Sequence, residues 1–257
     1  MTCTSVSPEV IQELQKYDSP TIINVIELFQ IQPCNSGYMN ASIKSIFPEF
    51  PPVVGYASPA TFRGAIAPAQ AETNSSFLAH IEALSLLPQP RIVVFEDLDS
   101  PSKAATFGEV MCAIYQRFGC VGIVTSGAAR DILAIRKLGF AVFASSTCVS
   151  HGYSRIEDMH QTVHVGGLTI RTGDLLHADA NGIVLIPHSI ADSVARACPL
   201  YIEAERIVLE FLRSETVSLE GLRQAFDEHV QKILSIPGMV RGAADVIRKR
   251  SPVAKLI

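Results

Sequence analysis

The sequence contains no apolar run long enough to cross a bilayer and no basic stripe, and only 18% of its residues are charged. The first absence excludes a helical membrane span. The second, with a net charge of -4 and a pI near 6.0, argues against a protein that grips a nucleic-acid backbone. The cysteines Cys3, Cys34, Cys112, Cys120, Cys148 and Cys198 are scattered, with no CxxC pair and no zinc spacing. The opening Met1-Thr2-Cys3-Thr4-Ser5 lacks the charged and apolar regions of a secretory signal. The expectation is a soluble, cytoplasmic chain with reduced thiols. Internal repeats and low-complexity stretches are missing too. What the chain has in quantity is apolar side chain, 48% of 257 residues, which is ample for one large core.

Periodicity divides that apolar content into elements. Pro8 to Tyr17 reads as a helix with proline near its start, and Asp18-Ser19-Pro20 breaks it and caps a second helix bearing Ile22, Ile23, Val25, Ile26, Leu28 and Phe29. Gln32 to Ser58, with Pro48, Pro51 and Pro52, reads as an irregular excursion near a site. Thr61 to Ala67 is expected as a strand, Asn74 to Leu87 as a helix, and the apolar run Arg91 to Phe95 as a buried strand. Phe107 to Phe118 is helical, Val121 to Val124 a strand, Asp131 to Leu138 a helix closed by Gly139, and Phe140 to Ala144 a strand. From Val163 to Ile186, short strands alternate with Gly166-Gly167, Thr172-Gly173-Asp174 and Asn181-Gly182, as in a β-meander. Ser189 to Arg213 and Ser218 to Ile236 are helical. The sum is an α/β layered sandwich with a mixed sheet, read as one domain over 1–257 with a core near 18–212 and a helical extension over 213–257.

The chemistry lies mid-chain. Gly108 precedes a helix, so the backbone N–H groups of Glu109, Val110 and Met111 are first-turn donors without helical acceptors. Such a helix start attracts a carboxylate or phosphate, and glycine lets a ligand approach closely. Arg130 and Asp131 follow a strand after a Gly127-Ala128-Ala129 turn, and strand ends are where open α/β sheets hold ligands. A guanidinium there can grip a carboxylate in two places, and the adjacent carboxylate can hold a hard cation. The plainer alternative is an ordinary cap and a surface ion pair around a simple turn glycine.

The run Gly108-Glu109, then Gly119-x-x-Gly122, then Gly127-Ala128-Ala129-Arg130-Asp131 resembles the signature of the RraA-like family. Gly166 to Asp174 and Ala178 to Pro187 resemble its second block, and the likeness runs from roughly Asp18 to about Glu205. That family includes divalent-metal-dependent pyruvate aldolases and the regulator of ribonuclease activity A. The resemblance implies an α-β-β-α fold of the swivelling β/β/α kind and a lyase acting on a small 2-oxo acid, by retro-aldol cleavage or oxaloacetate decarboxylation. It implies that Arg130 binds the substrate's carboxylate and oxo oxygens, that Asp131 holds Mg2+ or Mn2+, and that Glu109 contacts a water on that metal. Gly108, Val110 and Met111 would offer backbone donors. A glutamate from a neighbouring subunit, Glu203 or Glu205, would complete the site in a homotrimer or hexamer. The family equally contains a regulator that binds a partner enzyme, and a scaffold recruited to another biosynthetic reaction is the third reading. The sequence departs from the pattern at Thr125-Ser126, where an acid is frequent, and at Asn24, where aspartate is common.

Other residues attract attention. His160 and His164, on one face of a strand, would be a metal pair if a third ligand stood near, and otherwise exposed or core histidines. Asp179 with Asn181-Gly182 reads as a hairpin turn, with hydrogen bonding near the site as the alternative for Asp179, and Tyr153-Ser154-Arg155 as a solvated loop, with reach to a substrate's distal carboxylate as its alternative. Cys112 and Cys120 are expected buried and unreactive, and Arg206, Arg213 and Arg223 on solvated helix faces.

Overall fold

The structure, a computed structural model, describes residues 5–68 and 75–240. Asn74, expected to open a helix, and the extension beyond Val240 lie outside the described residues, as do Met1 to Thr4. Two short N-terminal helices come first, α1 (Pro8–Leu14) and α2 (Ser19–Leu28). Asp18 caps α2 by accepting the Thr21 N–H at 3.0 Å, as its place before Ser19-Pro20 predicts. The chain then alternates through β1 (Lys44–Ser45), β2 (Val53–Arg63), α3 (Ser75–Ser85), β3 (Arg91–Asp97), β4 (Ala105–Phe107), α4 (Glu109–Arg117), β5 (Cys120–Ala129), α5 (Ile132–Leu138) and β6 (Ala141–Thr147). Next come β7 (Arg155–Met159), β8 (Val163–Val165), β9 (Leu168–Ile170), β10 (Leu175–Asp179) and β11 (Gly182–Ile186), then α6 (Ala191–Leu212) and α7 (Leu219–Val240).

Nine strands make one sheet in the order β1-β6-β5-β3-β2-β10-β11, with β4 beside β5 and β7 beside β2. The β2-β3-β5-β6 portion is parallel, whereas β1, β7, β10 and β11 join antiparallel. The crossovers α3, α4 and α5 advance the sheet in one direction, so all three pack on one face. Strand β3 shows why its sequence is apolar throughout. Val93 and Phe95 face those helices, while Ile92 and Val94 face a second core with Met39, Ile43 and the β8–β9 hairpin. The third core sets α1, α2, α6 and α7 against Val54, Tyr56, Leu175, Val184 and Ile186. Tyr38 bridges to Val184 and Lys44–Ser45 pair with β6, so the intervening segment joins the two sheet edges and nearly closes the sheet.

Several expectations need correction. The irregular segment ends at Pro52, because Val53–Arg63 is a single strand buried along almost its whole length. Gly55 and Pro59 hide it from a propensity reading. Pro59 stands where β2 exchanges β10 for β7, and its carbonyl accepts from His160 N at 2.8 Å on the side where an N–H would have pointed. Gly127-Ala128-Ala129 is no turn: β5 runs through it, paired with β4 and β6. Residues 105–107 are a strand, and the helix begins at Glu109. Arg155 is no loop residue: it opens β7. His160 has φ +55° in the turn after β7 while His164 is exposed on β8, so the two do not share a strand face. Gly139 does close α5, at φ +66°, and Asn181-Gly182 does turn β10 into β11.

Candidate functional site

Three elements meet at Gly108. Strand β4 delivers it, α4 starts immediately after it, and β5 ends at Ala129 just before Arg130 and Asp131. The β4–β5 pairing matches Phe107 with Ala129, and Arg130 N donates to Phe107 O at 3.3 Å, so the glycine turn and the Arg-Asp pair are held side by side. Their contact is close. A Cβ on Gly108 would lie 2.4 Å from Asp131 Oδ2 and 2.9 Å from Arg130 Nε. Gly108 has an extended backbone, so it is this approach, and no conformational demand, that excludes a side chain.

Asp131 sits at the N-cap of α5 with φ +57° but does not cap it. Its carboxylate turns to α4, where Oδ2 accepts the Glu109 N–H at 3.1 Å. The same oxygen lies 3.6 Å from Arg130 Nε, and the two side chains keep 33% and 41% of their surface. An aspartate tolerates the left-handed region better than most residues. Gly108 at the N-cap has no side chain to cap α4, and with the Glu109 N–H taken by Asp131 the Val110 and Met111 amides remain as first-turn donors. Glu109 is exposed on the same turn. Along the outer face of α4 a groove of about 480 Å³ continues past Val110, Ala113 and Ile114 to Arg117 and Phe118.

A strong anchor fixes α4 in place. Arg91, buried at the start of β3, donates to Phe118 O at 2.7 Å just past the end of α4, and to Ser85 O at 3.1 Å and Leu87 O at the end of α3. A guanidinium on those carbonyls satisfies acceptors that helix ends leave free.

Glu203 and Glu205 do not join this cluster within one chain. Glu203 pairs with Lys232 of α7 at 3.7 Å. Burial raises the Glu205 carboxyl from its ordinary value, opposed by His229 and assisted by Asp18. Tyr153 is an exposed loop residue as expected. Asp179 is buried and bonded to Ser19 N and Asn181 N, which makes it a structural turn residue. Cys112 and Cys120 are buried, and burial raises both thiols, that of Cys120 to about 12. Inert thiols are the result.

The sequence reading passed over Asp97. At the C-terminal end of β3, its Oδ2 is buried without a hydrogen-bond partner among the described residues, and burial raises its carboxyl. It presses on Gly127, where a Cβ would lie 2.4 Å from that oxygen and 2.7 Å from Thr106 Oγ1. The signal available was an acid ending an apolar strand.

A family model for RraA-like proteins, described as Aldolase/RraA, matches residues 22–185. The chain belongs to the RraA-like family. Among its relatives, a Halalkalibacterium halodurans protein provisionally named 4-hydroxy-4-methyl-2-oxoglutarate aldolase is 30% identical over 106 residues, 41% of this chain and 50% of that protein. A protein of the same provisional name from Ectopseudomonas mendocina is 26% identical over 160 residues, 60% of this chain and 97% of its own length. The match thus spans about half of the first of these RraA-like relatives. Among solved structures, an uncharacterized Pseudomonas syringae protein aligns with TM-score 0.68 at 19% identity, over 88% of this chain and 97% of its own. Streptomyces coelicolor RraAS2, described as an unusual member of the RNase ES inhibitor RraA family, aligns with TM-score 0.63 at 19% identity, over 78% and 96%. Those likenesses show the RraA fold, an α/β architecture with a mixed sheet. Among the described residues no helix is long and apolar enough to cross a membrane.

Proposed function

We propose that this chain is a carbon–carbon lyase for a small 2-oxo acid, releasing pyruvate by retro-aldol cleavage or decarboxylating oxaloacetate, and dependent on Mg2+ or Mn2+. One observation carries the reading: Gly108 brings Arg130, Asp131 and the first turn of α4 into contact. The names of the relatives point the same way.

In this reading the Arg130 guanidinium grips the substrate carboxylate and oxo oxygen, and the Val110 and Met111 amides bind the same carboxylate. Both groups are in place before the reaction, so they offset the negative charge of the enolate without rearranging. Glu109, exposed on the first turn, takes or returns a proton through water. The donor set fits a hard cation. Among the described residues no group of three or more His, Cys, Asp or Glu is assembled, so one chain offers an ion only the Asp131 and Glu109 carboxylates, and the ion would have to keep several waters. Asp131 would hold it, with Glu109 reached through water. Such an ion polarises a 2-oxo group and stabilises the enolate.

The site is open at its mouth, where Val110 keeps 71% and Leu133 73% of their surface. Exposed apolar groups there support a second chain covering them, as in a homotrimer or hexamer whose neighbouring subunit contributes Glu203 or Glu205. Light scattering at micromolar concentration checks the assembly, and a monomer removes the borrowed glutamate. For the activity itself, pyruvate release is followed from 4-hydroxy-4-methyl-2-oxoglutarate and from oxaloacetate. Release that EDTA stops and added magnesium restores is the expected outcome. No release from either substrate with magnesium or manganese would overturn the lyase and leave a protein-binding role.

A further inference from the structure

A chain of polar side chains runs through the core beneath α3, separate from the Gly108 turn. The Tyr115 hydroxyl of α4 is 2.8 Å from His80 Nδ1. His80 Nε2 is 3.3 Å from Ser58 Oγ, and Ser58 Oγ is 3.4 Å from His160 Nε2. Ser58, His80 and Tyr115 are fully buried, whereas His160 is half-buried at the turn after β7. The chain therefore runs from the core to the surface.

Hydrogen counting orders it. With His160 neutral, the Tyr115 hydroxyl donates to His80 Nδ1, His80 Nε2–H donates to Ser58 Oγ, and the Ser58 hydroxyl donates to His160 Nε2. Every group is used. A proton taken from solvent onto His160 Nε2 makes that atom a donor. Ser58 then accepts from it, and the only acceptor left within the chain for the Ser58 hydrogen is His80 Nε2. To free that nitrogen, the His80 N–H bond at Nε2 is given up and one at Nδ1 is formed, which donates to the Tyr115 oxygen. One proton has entered, His80 has exchanged one N–H bond for the other, and the hydroxyl hydrogens have only turned, but the Tyr115 hydrogen is left without an acceptor in the chain. A buried unmade bond is costly.

Few other groups intervene. On β2, Thr61 is bonded to Asp158, which takes up that carboxylate. The nearby Arg155 is bonded to Glu157, and Glu96 of β3 accepts from His164 N. From the loop after β9, Thr172 donates to the His160 carbonyl and leaves its ring alone. The titratable groups that the chain itself presents to His160 are His80 of α3 and, through it, Tyr115 of α4. Burial holds His160 below its ordinary value, and burial, then His160 itself, holds His80 down to about 3.

We propose that Tyr115, His80, Ser58 and His160 form one ordered relay, in which the charge on His160 sets the tautomer of His80 and with it the hydrogen bond that anchors Tyr115. The relay joins the surface to α4, the helix whose first turn forms the candidate site, and it stands whether or not that site is a lyase.

Imidazole nitrogen spectra of the full chain, recorded with ¹⁵N-labelled histidine from pH 8 downward, test it. His80 should carry its hydrogen on Nε2 at high pH and on Nδ1 once His160 is charged. In Tyr115→Phe both arrangements leave one His80 nitrogen unpaired, so the penalty on charging His160 disappears. The His160 midpoint should rise by about half a pH unit or more, roughly a threefold gain in proton affinity. An unmoved His160 in that variant, although Tyr115 does not touch it, would overturn the relay. So would a His80 that keeps Nε2–H in the wild-type chain below the His160 midpoint, a result that does not depend on how the variant folds.

Discussion

Helix α4 starts among exposed polar groups and, less than two turns later, buries Tyr115 in an aromatic cluster with Phe77, His80 and Phe95. At its start, Arg130 and Asp131 keep a third or more of their surface and are 3.6 Å apart. At Tyr115, each polar atom is enclosed and its partner is dictated by geometry. Polar groups at the two ends therefore carry different energies. Groups at the wet end contribute little to stability and are free to act on a ligand, whereas groups at the dry end are costly to disturb. Changes at the first end should appear in turnover, and changes at the second in stability and its dependence on pH.

The largest expected effect tests the wet end. Lysine lacks the planar fork with which Arg130 would grip the substrate carboxylate in the proposed site, so Arg130→Lys should lose about 2–4 kcal/mol of transition-state stabilisation, roughly thirty- to thousandfold in turnover. Steady-state kinetics against pyruvate-releasing substrates give the number, with melting temperature as control. Near-normal turnover with a marked fall in melting temperature would make Arg130 structural and erase the contrast.

Gly108→Ala comes next. Its Cβ would intrude on Asp131 Oδ2 and Arg130 Nε, and the backbone there is unstrained for alanine. The two partly exposed side chains should yield, displacing the Asp131 carboxylate by roughly 1 Å, with about a ten- to hundredfold loss of kcat/KM by misplacement. Unfolding midpoints in urea should shift little. Unchanged kinetics would mean that the close packing at Gly108 has no bearing on turnover.

The third effect belongs to the dry end. The folded chain holds His80 at about 3, while the unfolded chain protonates it near 6.5. Above pH 6.5 neither state binds the proton and stability is full. As pH falls from 6.5 toward 3 only the unfolded state binds it, so stability drops by up to about 1.36 kcal/mol per pH unit from this group. Denaturant titrations between pH 7 and 5 should show that slope, and His80→Gln should flatten it. Equal slopes would return His80 to an ordinary, titrating histidine.

What the sequence made legible follows the same division. Asp18, Gly139 and Asn181-Gly182 act through bonds a few residues long, so a local reading finds them. The Gly108 turn and Arg130-Asp131 were legible as a helix start and a strand end, sharpened by resemblance. Strand β2 escaped because Gly55 and Pro59 break the pattern that burial along its length would otherwise show. The relay was invisible for another reason: Ser58 and His160 are 102 residues apart, and no local periodicity carries that contact. Asp97 likewise acquires its unpartnered oxygen only when β3 and β5 are laid side by side.

The smallest effect is the sharpest test of the contrast. Arg130 and Asp131 form an ion pair by distance, yet both side chains are solvated, and exposed pairs typically couple by about 0–1 kcal/mol. Asparagine tolerates the left-handed backbone of Asp131 and still offers an oxygen to the Glu109 amide, so Asp131→Asn removes charge with little change of shape. A double-mutant cycle of Arg130→Lys and Asp131→Asn, read by denaturant unfolding, should give a coupling below about 1 kcal/mol. The same cycle read by kcat/KM should be strongly non-additive, because either substitution alone already spoils the one site they share. A large coupling in stability with additive kinetics would place the pair at the structural end of the comparison, and the open start of α4 would then be a helix cap and no more.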